Sequence, residues 1–280
     1  MVATTSIADA NRTYFRALAN TRGSLGNLAG LGIPVVIILG ALTMGMLDPS
    51  ALEGQSLMRP LFNVNVVVMA ACALGVLLSM FKRLTYRFQV LFSTLLTGIA
   101  LALVYCLCLM ALAIAAFLNA GDIARSMMWF ILGGWIALAV LAGSTAAHIL
   151  MLRHRLRSGH SAKRTVGNYL AISGSGRSKM LWVIFAVVTV VPNVLTLGQY
   201  FANSLGAAGL VFFACVTPSL PVEFAYLAYL KSRDRVYWEA RPRRRPLEER
   251  RKLTRKVVLW VTGSAVALTL FWVFAKYVRF

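Results

Sequence analysis

The sequence predicts an all-α fold, a polytopic membrane helix bundle of seven transmembrane helices with the N-terminus cytoplasmic and the C-terminus extracytoplasmic. Three observations carry this expectation. Of 280 residues, 59% are hydrophobic and only 14% charged, and the mean hydropathy is +0.72, far too apolar for a soluble domain of this length. Apolar runs of about 20 residues or more recur along the chain, each long enough to cross a bilayer. The basic residues then alternate between connecting segments. Lys and Arg number 3 before the first run, 3 in Lys82–Arg87, 7 in Arg153–Lys179 and 12 in Lys231–Lys256, against only Arg59, Arg125, Lys276 and Arg279 in the segments between. This is a strong positive-inside pattern. It also explains the net charge of +20 without nucleic acid, which is not expected as a partner.

Residues 1–26 are polar and mildly basic. Ser6 fits a helix N-cap with Asp9 in the first turn. Ile7, Ala10, Tyr14, Ala17 and Leu18 then share one side, with Arg12, Thr13 and Arg16 opposite. The segment reads as a cytoplasmic amphipathic helix able to lie on an anionic membrane face, or as a plain tail. The seven spans follow at about Asn27–Leu47, Leu61–Phe81, Phe88–Leu118, Met127–Leu152, Met180–Tyr200, Leu205–Leu230 and Val257–Ala275. The first is longer than the apolar core of a signal peptide, and no small-residue cleavage site precedes Asp48-Pro49, so it is expected to be retained. The domain organisation is therefore a cytoplasmic segment (1–26), spans one to four (27–152), a basic cytoplasmic loop (153–179), a hairpin of spans five and six (180–230), a polybasic cytoplasmic arm (231–256), and the last span with a short outer tail (257–280).

The sixth span carries the one acid of any apolar run, Glu223, just beyond Pro218 and Pro221. An ionisable group within a span is costly in lipid and marks a candidate functional site. Cys215, Ser219, Glu223 and Tyr226 step by helical intervals, as do Thr189, Asn193, Thr196 and Tyr200 on the fifth span beyond Pro192. Facing one another across a short connection, these stripes predict a polar path, with the helices loosened at Pro192, Pro218 and Pro221. The bland counterpart is hydrogen bonding between helices. Glu223 lies eight residues, roughly 12 Å, from Lys231 and the basic face, and His148 on the fourth span sits at similar depth. His148 is thus a candidate proton-sharing partner, or a side chain bonded to a carbonyl.

No other pattern carries chemistry. His148, His154 and His160 are spaced off one helix face and lack an acid, so no metal is expected; no cofactor is implied. Cys72, Cys106, Cys108 and Cys215 all lie in apolar runs and read as free thiols. Gly174-Ser-Gly-Arg-Ser-Lys lacks the spacing of a nucleotide phosphate loop. Arg177 and Lys179 in that turn, and Arg241, Arg243, Arg244 and Arg245 in the arm, suit anionic lipid headgroups at the cytoplasmic face or a docking subunit. Two superficial likenesses fail. Lys276 lies too close to the C-terminus for a retinal attachment site, and the terminal aromatic ends no alternating barrel strand. With no catalytic set, the expectation is a multi-pass protein of a bacterial inner membrane, a component of a transport or secretion assembly. The alternatives are a non-conducting scaffold subunit and, behind it, an enzyme acting on lipid-linked substrates.

Overall fold

Uniformly apolar runs without Gly/Pro clusters have one way to satisfy their backbone in lipid, which is to coil into helices. The computed structural model, which describes residues 6–45, 58–117, 123–160, 201–240 and Arg255, is helical throughout with no strand among those residues. Helix α1 spans Ile7–Asn20, and a 3-10 turn at Leu25–Asn27 leads into α2, Leu28–Gly45. Then come α3 (Met58–Met80), the short α4 (Lys82–Arg87), α5 (Gln89–Phe117), α6 (Ile123–Ser158), α7 (Phe201–Val216), α8 (Ser219–Arg233) and a last 3-10 turn, Arg235–Tyr237. Five helical stretches among the described residues are long and apolar enough to cross a membrane: Ile7–Met44, Arg59–Met80, Gln89–Ala113, Gly134–Ser158 and Gly209–Arg233. They correspond to expected spans one to four and six. The expected spans at Met180–Tyr200 and Val257–Ala275 lie outside the described residues.

The chain divides into two units, Met1–Glu239 and Ala240–Phe280, and the architecture below is that of the first. Helices α2, α3, α5 and α6 alternate in direction, and α7–α8 runs parallel to α6. Gly32 of α2 abuts Val76 of α3, so closely that a Cβ there would stand 2.5 Å from the valine methyl, while Gly40 faces Met69. Gly75 of α3 in turn admits Leu95 of α5, and the Tyr105 hydroxyl donates to Asn65 Oδ1 at 2.6 Å farther along the same pair. Small residues at crossings bring helix backbones close, which is how helices associate where lipid removes the hydrophobic drive. The packed centre runs through Leu28, Val35, Leu39, Phe92, Leu96, Ile99 and Cys106.

The sixth span, expected to kink, is two helices. Pro218 cannot donate to Ala214 and Pro221 cannot donate to Thr217, so the ladder stops at Thr217. Leu220 N–H instead donates to the Thr217 carbonyl at 2.9 Å, and Pro221 falls in the first turn of α8, where a missing N–H costs little. Helix α1 forms as its sequence predicts, with the Ser6 hydroxyl accepting from Asp9 N–H at 3.2 Å. Its apolar side is covered by the rest of the chain. Tyr14, Phe15, Leu18 and Ala19 are buried, and Arg12, Thr13 and Arg16 stay exposed. Glycine closes the other long helix of this end. Gly159, at φ 84°, takes the left-handed turn after α6 that a side chain resists, and so folds His160 back onto α1.

This topology sorts charge. Arg59 and Arg125 lie at one end of the bundle, and every other described Lys and Arg of the first unit lies at the other, with α1, α4, the C-terminal ends of α6 and α8, and both buried glutamates.

Candidate functional site

Two buried carboxylates organise the basic end, and a helix break lies farther into the bundle. Glu223, in the second turn of α8, is 3% exposed. Its Oε2 accepts from the Tyr14 hydroxyl at 2.9 Å and pairs with Arg22 Nη2 at 2.5 Å, and its Oε1 lies 3.8 Å from Arg155 Nη1 of α6. The Arg22 guanidinium also donates to the Tyr14 hydroxyl. Three separate parts of the chain, the α1 region, α6 and α8, therefore meet on one acid. The removal of such a charge from water is costly unless paired and hydrogen-bonded on all sides, and here it is.

Beside it, the Tyr14 ring stacks on His160 with centroids 4.0 Å apart, and Phe15 packs edge-on against the same imidazole. Asn11 completes this contact: its Nδ2 donates to the Leu156 carbonyl at 2.9 Å while its Oδ1 accepts from His160 N–H at 3.2 Å and lies 2.6 Å from His160 Nδ1. Tyr226, a turn after Glu223, meets Phe15 with centroids 5.0 Å apart. So α1 is seated by both polar and aromatic contacts.

The second carboxylate is Glu239, just past α8. Its Oε1 pairs with the fully buried Lys231 Nζ at 2.7 Å. Oε2 accepts from the Ser24 hydroxyl at 2.7 Å and from Leu25 N–H at 3.1 Å. A distant side chain thereby caps the turn that opens α2. The Glu239 backbone is held in both directions by the buried Gln89 amide, N–H donating to Gln89 Oε1 and the carbonyl accepting from Gln89 Nε2, each at 2.8 Å. Trp238 Nε1 donates to the Lys231 carbonyl at 2.8 Å. Nearby, burial and then the negative charge of Glu239 push the Tyr86 phenol up, opposed by a hydrogen bond with Ser24.

The break at Thr217–Pro218 ends the ladder beside the Cys215 carbonyl. Two side chains of α6 take that acceptor: Ser144 Oγ donates at 2.5 Å and His148 Nε2 lies at 3.0 Å. The carbonyl sits eight residues before Glu223, roughly 12 Å along the helices.

The sequence-derived candidates divide accordingly. Glu223 and Tyr226 come together on α1, and His148 lies on the Cys215 carbonyl. Ser219 opens α8, so the break separates it from Cys215 on α7. Pro218 and Pro221 produce the break. Thr189, Pro192, Asn193, Thr196 and Tyr200, with Arg177, Lys179, Arg241, Arg243, Arg244 and Arg245, lie outside the described residues. The four cysteines are free thiols, and among the described residues no group of three His, Cys, Asp or Glu could hold a metal.

Sequence reasoning passed over Tyr14, Arg22, Arg155, Lys231, Glu239 and Gln89. A signal was present for the acids. With 9 Asp and Glu against 29 Lys and Arg, any glutamate bordering a span has several cations within reach and is a candidate for burial. No family model, curated protein or solved structure matches this chain.

Proposed function

We propose that this chain is a multi-pass inner-membrane component of a transport or secretion assembly, with seven spans, its basic end in the cytoplasm, and α7–α8 as its gating element. The observation that carries the reading is the broken helix. A span interrupted at Thr217–Pro218, its Cys215 carbonyl held by Ser144 and His148, is the discontinuous architecture from which membrane pathways are built. Glu223, with Arg22 and Tyr14, fastens α1 across the cytoplasmic end of that element. In this reading α1 is a latch, and its release frees α8 to pivot at Thr217–Pro218. The sorting of Lys and Arg to one end supports the orientation. Anionic lipid and neighbouring subunits are the partners this arrangement suits.

A second reading has its own support. Both carboxylates are taken up by partners within the chain, which suits a non-conducting scaffold subunit. An enzyme on lipid-linked substrates has least behind it, since Glu223 is already paired with Arg22 and the described residues around it offer no catalytic set.

Reconstitution into liposomes separates the two leading readings. Gating predicts a small ion or solute flux for wild type and a several-fold larger one for Glu223→Gln. Silence from both, together with stoichiometric partners after purification in mild detergent, supports the scaffold and refutes the gate.

A further inference from the structure

We propose that α4 and its flanks form a binding surface for anionic phospholipid, distinct from the basic loops and from the latch. Helix α4 joins two antiparallel spans, so it lies where their apolar sides meet the basic end. Its inner side is fixed: Thr85 is buried, with its hydroxyl donating to the Phe81 carbonyl at 3.2 Å, and Tyr86 is half-buried near Glu239. Everything else faces outward. Met80, Phe81, Leu84 and Phe88 are 72%, 65%, 38% and 47% exposed, a concentration of large apolar groups that water disfavours.

Lys82, Arg83 and Arg87 are exposed among them and pair with no acid among the described residues. The Arg87 guanidinium lies 5.6 Å from the Phe88 ring centroid, so its stem and the ring form one surface. The apolar part continues onto the exposed outer sides of the spans at Leu77 and Leu91, while the charges occur only in and beside α4. Apolar side chains continuous with a lipid-facing wall, edged by three exposed cations, complement a phospholipid: acyl chains along Leu77, Leu84 and Leu91, phosphate at Lys82, Arg83 and Arg87. An acidic protein would match the cations and leave the exposed aromatics uncovered. The inference does not rest on the gating reading.

The test is native mass spectrometry of the full chain in mild detergent, titrated with phosphatidylglycerol and with phosphatidylcholine of the same acyl chains. Phosphatidylglycerol is expected to bind more tightly. The Lys82→Gln/Arg83→Gln/Arg87→Gln variant should weaken it on the order of a hundredfold, about fivefold per charge, with phosphatidylcholine unchanged. Equal affinity of variant and wild type for phosphatidylglycerol overturns the proposal, and so does its displacement by inorganic phosphate at similar concentration. Should the triple variant not fold, a photoactivatable phosphatidylglycerol on wild-type protein decides. Cross-links in residues 77–91 support the site, and cross-links confined elsewhere refute it.

Discussion

Glu223→Gln should loosen α1 far more than it loosens the bundle. Gln is nearly the same shape, so the substitution removes charge with little change in packing. What it leaves is Arg22, whose side chain is 13% exposed, and Arg155, 32% exposed, both without the carboxylate that they share. Removal of one partner of a buried pair costs about 3–5 kcal/mol. The partial exposure of both arginines argues for the lower end, ~3 kcal/mol, because water and salt screen what remains. Tyr14 keeps an acceptor in the Gln carbonyl, which also moderates the loss.

Hydrogen exchange of the detergent-solubilised protein reads this locally. A loss of ~3 kcal/mol, at 1.36 kcal/mol per decade, lowers protection of amides in Ile7–Asn20 by on the order of a hundredfold. Amides of α5, which carries none of Tyr14, Arg22 and Arg155, should change little. Arg22→Met gives a smaller loss, since Glu223 retains Tyr14 and Arg155. The double variant should lose less than the two single losses combined, because the pair is then gone as a unit. Strict additivity, or α1 protection within twofold of wild type in Glu223→Gln, refutes the idea that this acid seats α1.

The other carboxylate should behave alike but more globally. Glu239→Gln strands the buried Lys231 ammonium and should cost about 3–5 kcal/mol in reversible unfolding in mixed micelles, most of it regained in Glu239→Gln/Lys231→Met. The same Glu239→Gln change should bring the Tyr86 phenol down toward its ordinary range, because a negative neighbour is lost. Tyrosinate absorbance of Glu239→Gln minus that of Glu239→Gln/Tyr86→Phe, compared with the same difference in the wild-type background, checks it. Since the folded phenol titrates above its unfolded value, the stability it contributes is intact below about pH 10 and declines as pH rises further. Gly32→Ala should destabilise by about 1–3 kcal/mol through its clash with Val76, and Val76→Ala in the same chain should relieve part of that in the same unfolding assay. Gly159→Ala meets nothing closer than 3.8 Å, so its cost is conformational, about 1 kcal/mol, and should appear as increased exchange around His160.

How far the fold could be read ahead depended on what kind of information each feature needs. Helix positions follow from run length and from Pro218 and Pro221, which act within one turn, so α2, α3, α5, α6 and the α7–α8 break were legible. The alternation of Lys and Arg is equally local. Depth along a span is less readable: His148, set level with Glu223 by counting from the basic flanks, lies instead at the Cys215 carbonyl, roughly 12 Å before Glu223 along the helices. The offset between two helices along their axes is set by packing and is not written in either run: Arg155, two turns after His148 on nearly the same face of α6, is the residue that reaches Glu223. Nor does spacing reveal that α1, whose stripe suits a lipid surface, finds a partner in His160 once Gly159 reverses the chain.

The placement of the two carboxylates follows from the same physics. In the apolar middle of a span a charge has few ways to be neutralised, whereas at the basic end every acid has cations close by. Glu223 and Glu239 each join segments far apart in sequence, Arg22 to α8 and Ser24 to the end of the 231–239 stretch. Apolar side chains alone cannot set such a register at a membrane boundary, where hydrocarbon no longer surrounds the helices and their flanks can slide. A carboxylate with three or four directional partners can. The two anchors differ in one respect that bears on motion: Lys231 is 0% exposed, while Arg22 and Arg155 reach partly into water. Water has access to the Glu223 partners and none to Lys231. In the proposed gating reading, the Glu223 junction is therefore the one expected to open, and α1, not the 231–239 turn, the segment expected to leave.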